Sequence, residues 1–277
     1  MRAGLVQINA SDDPIANLPV TAELVRRAAG EGAELVLTPE VTNIVSASRT
    51  RQNEVLSHEE DDRTLAGLRE VAAETGIWLS IGSLALKSGD PDGRFVNRQF
   101  LISPTGDIKA RYDKVHMFDV ELGGEESYRE SKGYRPGEQA VVANTDLCKI
   151  GLSICYDMRF PGLYRDLAQA GAQILLVPSA FTVPTGRAHW EVLLRARAIE
   201  TGCFVLAAAQ TGTHAATRGR VRETYGHSLA VAPWGEVIAD AGEGVGVTMV
   251  ALDLSQVDNA RRKVPSLANG RAYSGPA

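Results

Sequence analysis

Cysteine is scarce in this chain. Cys148, Cys155 and Cys203 are too few, and odd in number, for a disulfide framework, and no Cys-x-x-Cys pair points to zinc or redox work. A reducing compartment, hence the cytoplasm, is the expected location. Long apolar runs are missing too: no stretch of about 18 such residues is available to span a membrane. The chain passes from Met-Arg-Ala straight into Gly4–Asn9, which reads as a strand rather than a charged leader with a long apolar core. Like charges never run beyond Glu59-Glu60-Asp61-Asp62, and the net charge is −5. Such a chain repels a phosphate backbone, so nucleic acid is not an expected partner. Internal repeats and low-complexity linkers are also absent. With 44% apolar and 23% charged residues, the composition is that of a globular protein and not of a collagen, a disordered tail or a coiled coil.

Short β-branched runs alternate with helical patterns. Strands are expected at Leu5–Asn9, Leu35–Leu37, Ile77–Leu84, Arg94–Ser103, Ile108–Tyr112, Val141–Asn144, Ile150–Ile154, Ile174–Val177, Phe204–Ala209, His227–Ala232 and Val247–Leu254, with a hairpin tip at Trp234. Helices are expected at Pro14–Gly30, Glu60–Thr75, Gly162–Ala170 and Ala188–Thr201. Between Phe118 and Gly137 the pattern breaks; a long ordered loop or short helices over the sheet edge are expected, and loops of that length in a compact domain are usually functional. The pattern reads as one α/β domain over residues 1–277, with a core of about 4–254 and a tail of about 255–277. About eleven strands are too many for one ordinary open sheet, so two face-to-face sheets with helices outside are expected.

Three side chains end strands and suit nucleophilic chemistry. Cys155 closes the strand in Leu152-Ser-Ile-Cys155-Tyr-Asp-Met-Arg159-Phe-Pro161, just before a helix. That turn exposes a thiol at a strand's carboxyl end, with backbone N–H groups near for an oxyanion. An arbitrary cysteine is more often a buried packing residue, which is the reading for Cys148 and Cys203. Glu40 ends Leu35-Val-Leu-Thr-Pro-Glu40, and partial burial is expected to raise its pKa toward that of a useful base. Lys114, in Tyr112-Asp-Lys114-Val-His-Met-Phe-Asp119, offers an ammonium for a thiolate or an oxyanion. Singly, a glutamate or lysine is more often a solvated surface residue.

Taken together and in this order, these three motifs resemble the nitrilase superfamily of carbon–nitrogen hydrolases. The likeness runs from Leu5 to about Leu254. It implies a single-domain α-β-β-α four-layer sandwich. It also implies that Cys155 attacks an amide or nitrile carbon, that Glu40 is the base, and that Lys114 and the backbone N–H of Tyr156 hold the oxyanion. A thioester would then be hydrolysed, with no metal or organic cofactor. A second glutamate of the family is matched by Glu130, followed by Ser-Lys-Gly; Glu125 and Glu126 are rivals without that context. Phe181–Glu200, Ala207–Gln210 and Tyr225–Ser228 resemble the Nit branch, and within it the deaminated glutathione amidases.

An acidic substrate is expected on physical grounds as well. Arg159 stands at a helix start four residues past Cys155, and a guanidinium and a helix N-terminus both favour a carboxylate. The alternative is a structural pair with Asp157. By resemblance, Phe181 and Thr185 would contact the 2-oxoacid end of the substrate beside Arg159. His116, His189 and His227 lack ligand spacing and read as structural, so no metal is expected. The expected reaction is deaminated glutathione to 2-oxoglutarate and Cys-Gly. Alternatives are an ω-amidase on 2-oxoglutaramate, an N-carbamoyl amino-acid hydrolase and, in another class, a non-catalytic scaffold. The family implies a homodimer or larger. The helix Ala188–Thr201, with Trp190, Leu193, Leu194 and Ala198, carries more apolar surface than one sheet face needs.

Overall fold

A computed structural model describes residues 1–123 and 126–275. Gly124, Glu125 and the last two residues of the expected tail, Pro276 and Ala277, lie outside the described residues, as does the side chain of Glu126.

In chain order the helices are α1 (Pro14–Gly30), α2 (Arg49–Val55), α3 (Arg63–Thr75), α4 (Pro161–Gln169), α5 (Val183–Thr201) and α6 (Ser255–Lys263). The strands of the first half are β1 (Arg2–Gln7), β2 (Leu35–Leu37), β3 (Trp78–Lys87), β4 (Phe95–Ile102), β5 (Ile108–Asp113), β6 (Asp119–Gly123) and β7 (Glu126–Arg129). Those of the second half are β8 (Val141–Asn144), β9 (Lys149–Leu152), β10 (Ile174–Leu176), β11 (Phe204–Ala207), β12 (Thr211–Thr213), β13 (Glu223–Tyr225), β14 (Leu229–Val231), β15 (Val237–Asp240) and β16 (Gly246–Ala251).

Two six-stranded sheets result, ordered β16-β1-β2-β3-β4-β5 and β15-β14-β11-β10-β9-β8. Strands β1, β2 and β3 run parallel, as do β9, β10 and β11. Their side chains show why the sheets stack. Successive residues of a strand face opposite ways. Leu5, Leu35 and Leu37 pack with Ile150, Leu152 and Leu176 of the other sheet. Val6 and Val36 pack with Val25 and Ala28 of α1 and Leu68 of α3. With α4 and α5 on the outer face of the second sheet, the layers are α-β-β-α, as expected.

Local chemistry sets the helix ends. The Asp13 carboxylate accepts from Ile15 N–H at 3.0 Å to cap α1, and Asp62 accepts from Leu65 N–H at 2.8 Å to cap α3. Asp62 stops α3 from reaching back to Glu60; a separate 3-10 turn holds Glu59–Asp61. Helix α5 starts at Val183 rather than Ala188, with Pro184 in its first turn, where a missing N–H costs nothing.

The strand count was too low. Among the described residues the twelve sheet strands are joined by two hairpins, β6–β7 and β12–β13; the first, followed by a 3-10 turn at Glu130–Lys132, occupies the stretch expected to be a loop or short helices. Two helices lay outside the reading. Helix α2 is short and polar, so it has no periodic apolar face. Helix α6 begins what was expected to be tail, yet it buries Val257 and Ala260. Arg261 fastens it by donating to the carbonyls of Thr201 and Ala172 at 3.1 and 2.7 Å.

One close approach governs the site. The β3–β4 ladder shifts register between Ile81 and Leu84, and Gly82 lies in that bulge. A Cβ there would stand 1.9 Å from the Thr38 carbonyl oxygen and 2.5 Å from the Pro178 Cβ. Only glycine lets β3 touch the loops that follow β2 and β10 together. Gly82→Ala is therefore expected to cost about 3 kcal/mol or more through overpacking. At about 2–4 °C per kcal/mol, thermal unfolding should fall by roughly 6 °C or more. A melt unchanged from wild type would contradict this close approach.

Candidate active site

The parallel strands bring Glu40 and Cys155 to neighbouring carboxyl ends, through backbones of unusual conformation. Cys155 has φ of 49°, and Val41, directly after Glu40, has φ of 48°. Among the described residues only His227, at 57°, joins them as a non-glycine residue with positive φ. A β-branched valine in this region is a genuine outlier, at a cost on the order of 1–3 kcal/mol. Specific bonds hold both turns. Val41 N–H donates to Ser83 Oγ at 2.8 Å, and Gln210 Nε2 donates to the Glu40 carbonyl at 3.1 Å. Cys155 N–H donates to the Pro178 carbonyl at 2.9 Å. Buried Asp157 accepts from Ile154 N–H at 2.8 Å, Tyr112 hydroxyl at 2.6 Å and His116 N–H at 3.0 Å.

Lys114 follows β5 and sits at the centre, only 2% exposed. Its ammonium donates to Glu40 Oε1 at 2.8 Å and to Glu130 Oε1 and Oε2 at 3.0 and 2.9 Å. Asn97 Nδ2 donates to Glu40 Oε1 at 2.9 Å and lies 3.4 Å from Glu130 Oε1. Ala180 N–H donates to Glu40 Oε2 at 2.9 Å, and Phe118 N–H to Glu130 Oε2 at 2.6 Å.

This arrangement decides the protons. Burial disfavours the Lys114 charge, but the Glu130 and Glu40 carboxylates outweigh it and hold the ammonium's pKa well above the ordinary value. Burial likewise opposes a charged Glu40. The Lys114 charge, with hydrogen bonding from Lys114, Cys155 and Asn97, reverses the balance and keeps its carboxyl below the ordinary value. The expected upward shift of Glu40 is thus overturned, because its neighbour is a buried ammonium. For Cys155, burial and the Glu40 charge push the thiol well above its usual value, against the pull of Lys114 and the Ala180 N–H. The resting state is a neutral thiol beside a carboxylate base. Cys155 is also 6% exposed, not open as expected, because it packs within the core cluster between the two sheets.

A cavity of about 440 Å³ opens onto Cys155, Glu40, Lys114 and Glu130, within the usual range for a small-molecule site. Tyr156, Phe181 and Thr185 line it as well. Arg159 does not. Its guanidinium lies 5.8 and 5.6 Å from the Tyr156 and Phe181 ring centroids and 3.2 Å from His189 Nδ1. Nor does it pair with Asp157, whose oxygens are taken by the turn. Cys148 and Cys203 are buried outside the cavity lining. His116 Nδ1 is 2.7 Å from Asp157, and His227 Nδ1 is 3.0 Å from Asp240. Among the described residues no three His, Cys, Asp or Glu converge as metal ligands.

Asn97, Tyr134 and Arg222 also line the cavity and were not foreseen. A signal existed for Asn97. It and Gln99 are polar residues two apart on an otherwise apolar face of β4, and both are buried.

Residues 2–262 match the carbon–nitrogen hydrolase family model. This chain belongs to the carbon–nitrogen hydrolase family. A relative from Yersinia enterocolitica, named deaminated glutathione amidase, is 38% identical over 271 residues, covering 98% of this chain and 93% of its own. The NitFhit protein of C. elegans superposes with a TM-score of 0.89 at 38% identity, over 98% of this chain; the chain spans 65% of that protein's length. An amidase from Nesterenkonia sp. AN1, in a mutant form carrying acrylamide added at its active-site cysteine, superposes with a TM-score of 0.77 at 29% identity. That match covers 96% of this chain and 98% of the amidase.

Thiol reactivity tests the proton arrangement of this carbon–nitrogen hydrolase. Iodoacetamide labelling of Cys155, followed by mass spectrometry, should be slow at pH 7. It should quicken about tenfold per pH unit through pH 9, as the thiolate fraction grows. Glu40→Gln removes the opposing charge and leaves Lys114, so labelling at pH 8 should accelerate. A rate already level below pH 8 would mean a thiolate at rest.

Proposed function

We propose that this carbon–nitrogen hydrolase is a thiol amidohydrolase that cleaves deaminated glutathione to 2-oxoglutarate and Cys-Gly. The observation that carries the reading is the Glu40–Lys114–Glu130 cluster, with Cys155 at the same cavity. As Cys155 Sγ bonds to the amide carbon, its proton passes to Glu40, whose charge is available because Lys114 supports it. The developing oxyanion is held by the Lys114 ammonium and the Tyr156 backbone N–H. Collapse breaks the C–N bond, and the proton on Glu40 goes to the departing amine. Glu40 then takes a proton from water, whose oxygen attacks the thioester carbon; the C–S bond breaks, and Glu40 returns that proton to the Cys155 sulfur, releasing the carboxylic acid and restoring the thiol and the carboxylate base. Glu130 touches neither reacting atom in this scheme; it balances the ammonium and fixes its direction, acting as a positioning residue. No step calls for a metal or an organic cofactor.

The substrate follows from the relatives named for deaminated glutathione and from the basic character of the cavity. Phe181 and Thr185 are proposed to face the 2-oxoacid end, with Arg159 adding positive potential from beside Tyr156 and Phe181. A reducing, cytoplasmic setting accords with three unpaired cysteines. Among the described residues no helix is long and apolar enough to cross a membrane.

Cys155→Ala is expected to abolish turnover with folding intact, whereas Cys148→Ala and Cys203→Ala keep it. Wild-type protein should release Cys-Gly and 2-oxoglutarate from deaminated glutathione faster than ammonia from 2-oxoglutaramate. Faster ammonia release would make it an ω-amidase, and retained turnover in Cys155→Ala would remove the mechanism.

A homodimer is proposed as well, on a different face of α5 from the one expected. Trp190, Leu194 and Ala198 are consumed inside their own chain. Val192 and Ile199 point outward at 67% and 56% exposure; Gly235 approaches Ile199, and Trp234 before it is 54% exposed. Light scattering should give twice the 29.7 kDa chain mass, and Ile199→Glu should halve it; a wild-type monomer would refute the dimer.

A further inference from the structure

The walls of the cavity carry a charge imbalance that none of the proposed bond-breaking steps uses. Among the described residues, six basic side chains line it against two carboxylates, Glu40 and Glu130, in a chain whose net charge is −5. Both carboxylates are already bonded to Lys114. The other five basic groups differ in what they have to spare. Arg49 donates to the carbonyls of Gly133 and Gly93 and lies over the Phe95 ring, 3.7 Å from its centroid. Arg129 donates to the carbonyls of Val120 and Tyr128 and pairs with Glu121. Lys132 and Arg220 are exposed, where water screens them.

Arg222 is different. It is half-buried, just before β13, and its carbonyl is fixed by the N–H of His214 at 2.9 Å. Buried His214 is itself clamped, with Nδ1 2.7 Å from the Ala10 carbonyl and Nε2 2.7 Å from Thr224 Oγ1. Among the described residues the Arg222 guanidinium makes one hydrogen bond, a long one of 3.4 Å from Nη2 to the Ala180 carbonyl, and no ion pair. A guanidinium has five N–H donors, and a partly desolvated cation without an anion is unfavourable unless something else supplies the charge. Ala180 places it near the reacting groups, since its own N–H is bonded to Glu40.

We infer that Arg222 is a carboxylate-binding side chain of this cavity, so that the site selects amides carrying an anionic group at a distance from the cleaved bond. The inference rests on the proposed amidase reading. Deaminated glutathione offers two such groups, one at the 2-oxoacid end and one on the leaving dipeptide. Both have the chemistry that a planar guanidinium fork recognises.

Three substrates separate the sources: deaminated glutathione, its levulinyl analogue with methyl in place of the 2-oxoacid carboxylate, and 2-oxoglutaryl-cysteine methylamide, which lacks the glycine carboxylate. Arg222→Gln should lower kcat/KM for the first by roughly 30-fold, mostly through KM. The penalty should vanish for whichever analogue lacks the group Arg222 holds. Arg222→Lys should recover part of the loss. Equal penalties on all three substrates would make Arg222 structural, acting through Ala180, and no penalty on any would also overturn the inference. If wild-type protein cleaves none of them, the proposed reaction fails by itself. Calorimetric titration of wild-type and Arg222→Gln protein with 2-oxoglutarate and with Cys-Gly then decides: tenfold weaker binding of either to the variant supports the inference, and equal or absent binding of both overturns it.

Discussion

A buried carboxylate, Glu40, and a partly buried one, Glu130, approach each other here only because one buried ammonium lies between them. Glu40 comes from the end of β2, Glu130 from the turn after β7, and Lys114 from the end of β5. All three N–H donors of the lysine have a place among their oxygens. Removing the lysine would leave a buried and a partly buried negative charge facing each other, an arrangement that interiors avoid by taking up protons or by rearranging. The geometry of the cavity therefore depends on this cluster. So does its proton inventory: Glu40 stays charged because Lys114 stays charged, and the Cys155 thiol stays neutral because Glu40 is charged.

The backbone bears the corresponding cost. Val41 and Cys155 both occupy the left-handed region, and each strained turn is braced from another element. Gln210 and Ser83 hold the turn after β2, while Asp157 and the Pro178 carbonyl hold the turn after β9. Gly82 lets these two systems meet by removing a side chain at their junction. Strain of this kind survives only where the surroundings over-determine it. A nucleophile and its base, brought from two different sheets, are therefore kept in register without a flexible linker between them.

Much of this was legible in advance. Strands β2 and β8 and helix α1 end where apolar alternation and capping residues place them, since those signals are local. Glu40, Lys114, Cys155 and Glu130 were found by motif, and each motif is also a strand end or a turn. What escaped was short or polar. Helices α2 and α6 have little apolar periodicity, and the β12–β13 hairpin is built largely from threonine, glycine and glutamate.

The chain alone determined the layer order, several of the strand ends and the four residue types of the candidate site, because each is encoded in stretches of a few residues. Only the tertiary structure decided the charges and the contacts. Burial was correctly anticipated for Glu40, but its consequence depended on which cation came beside it. Arg159 kept its local position, yet it stacked near Tyr156 and Phe181 instead of lining the cavity. Arg222, more than sixty residues beyond Cys155, reached the cavity through the pairing of one hairpin. Electrostatic energy depends on distance and on exclusion of water, and neither exists until the sheets have packed.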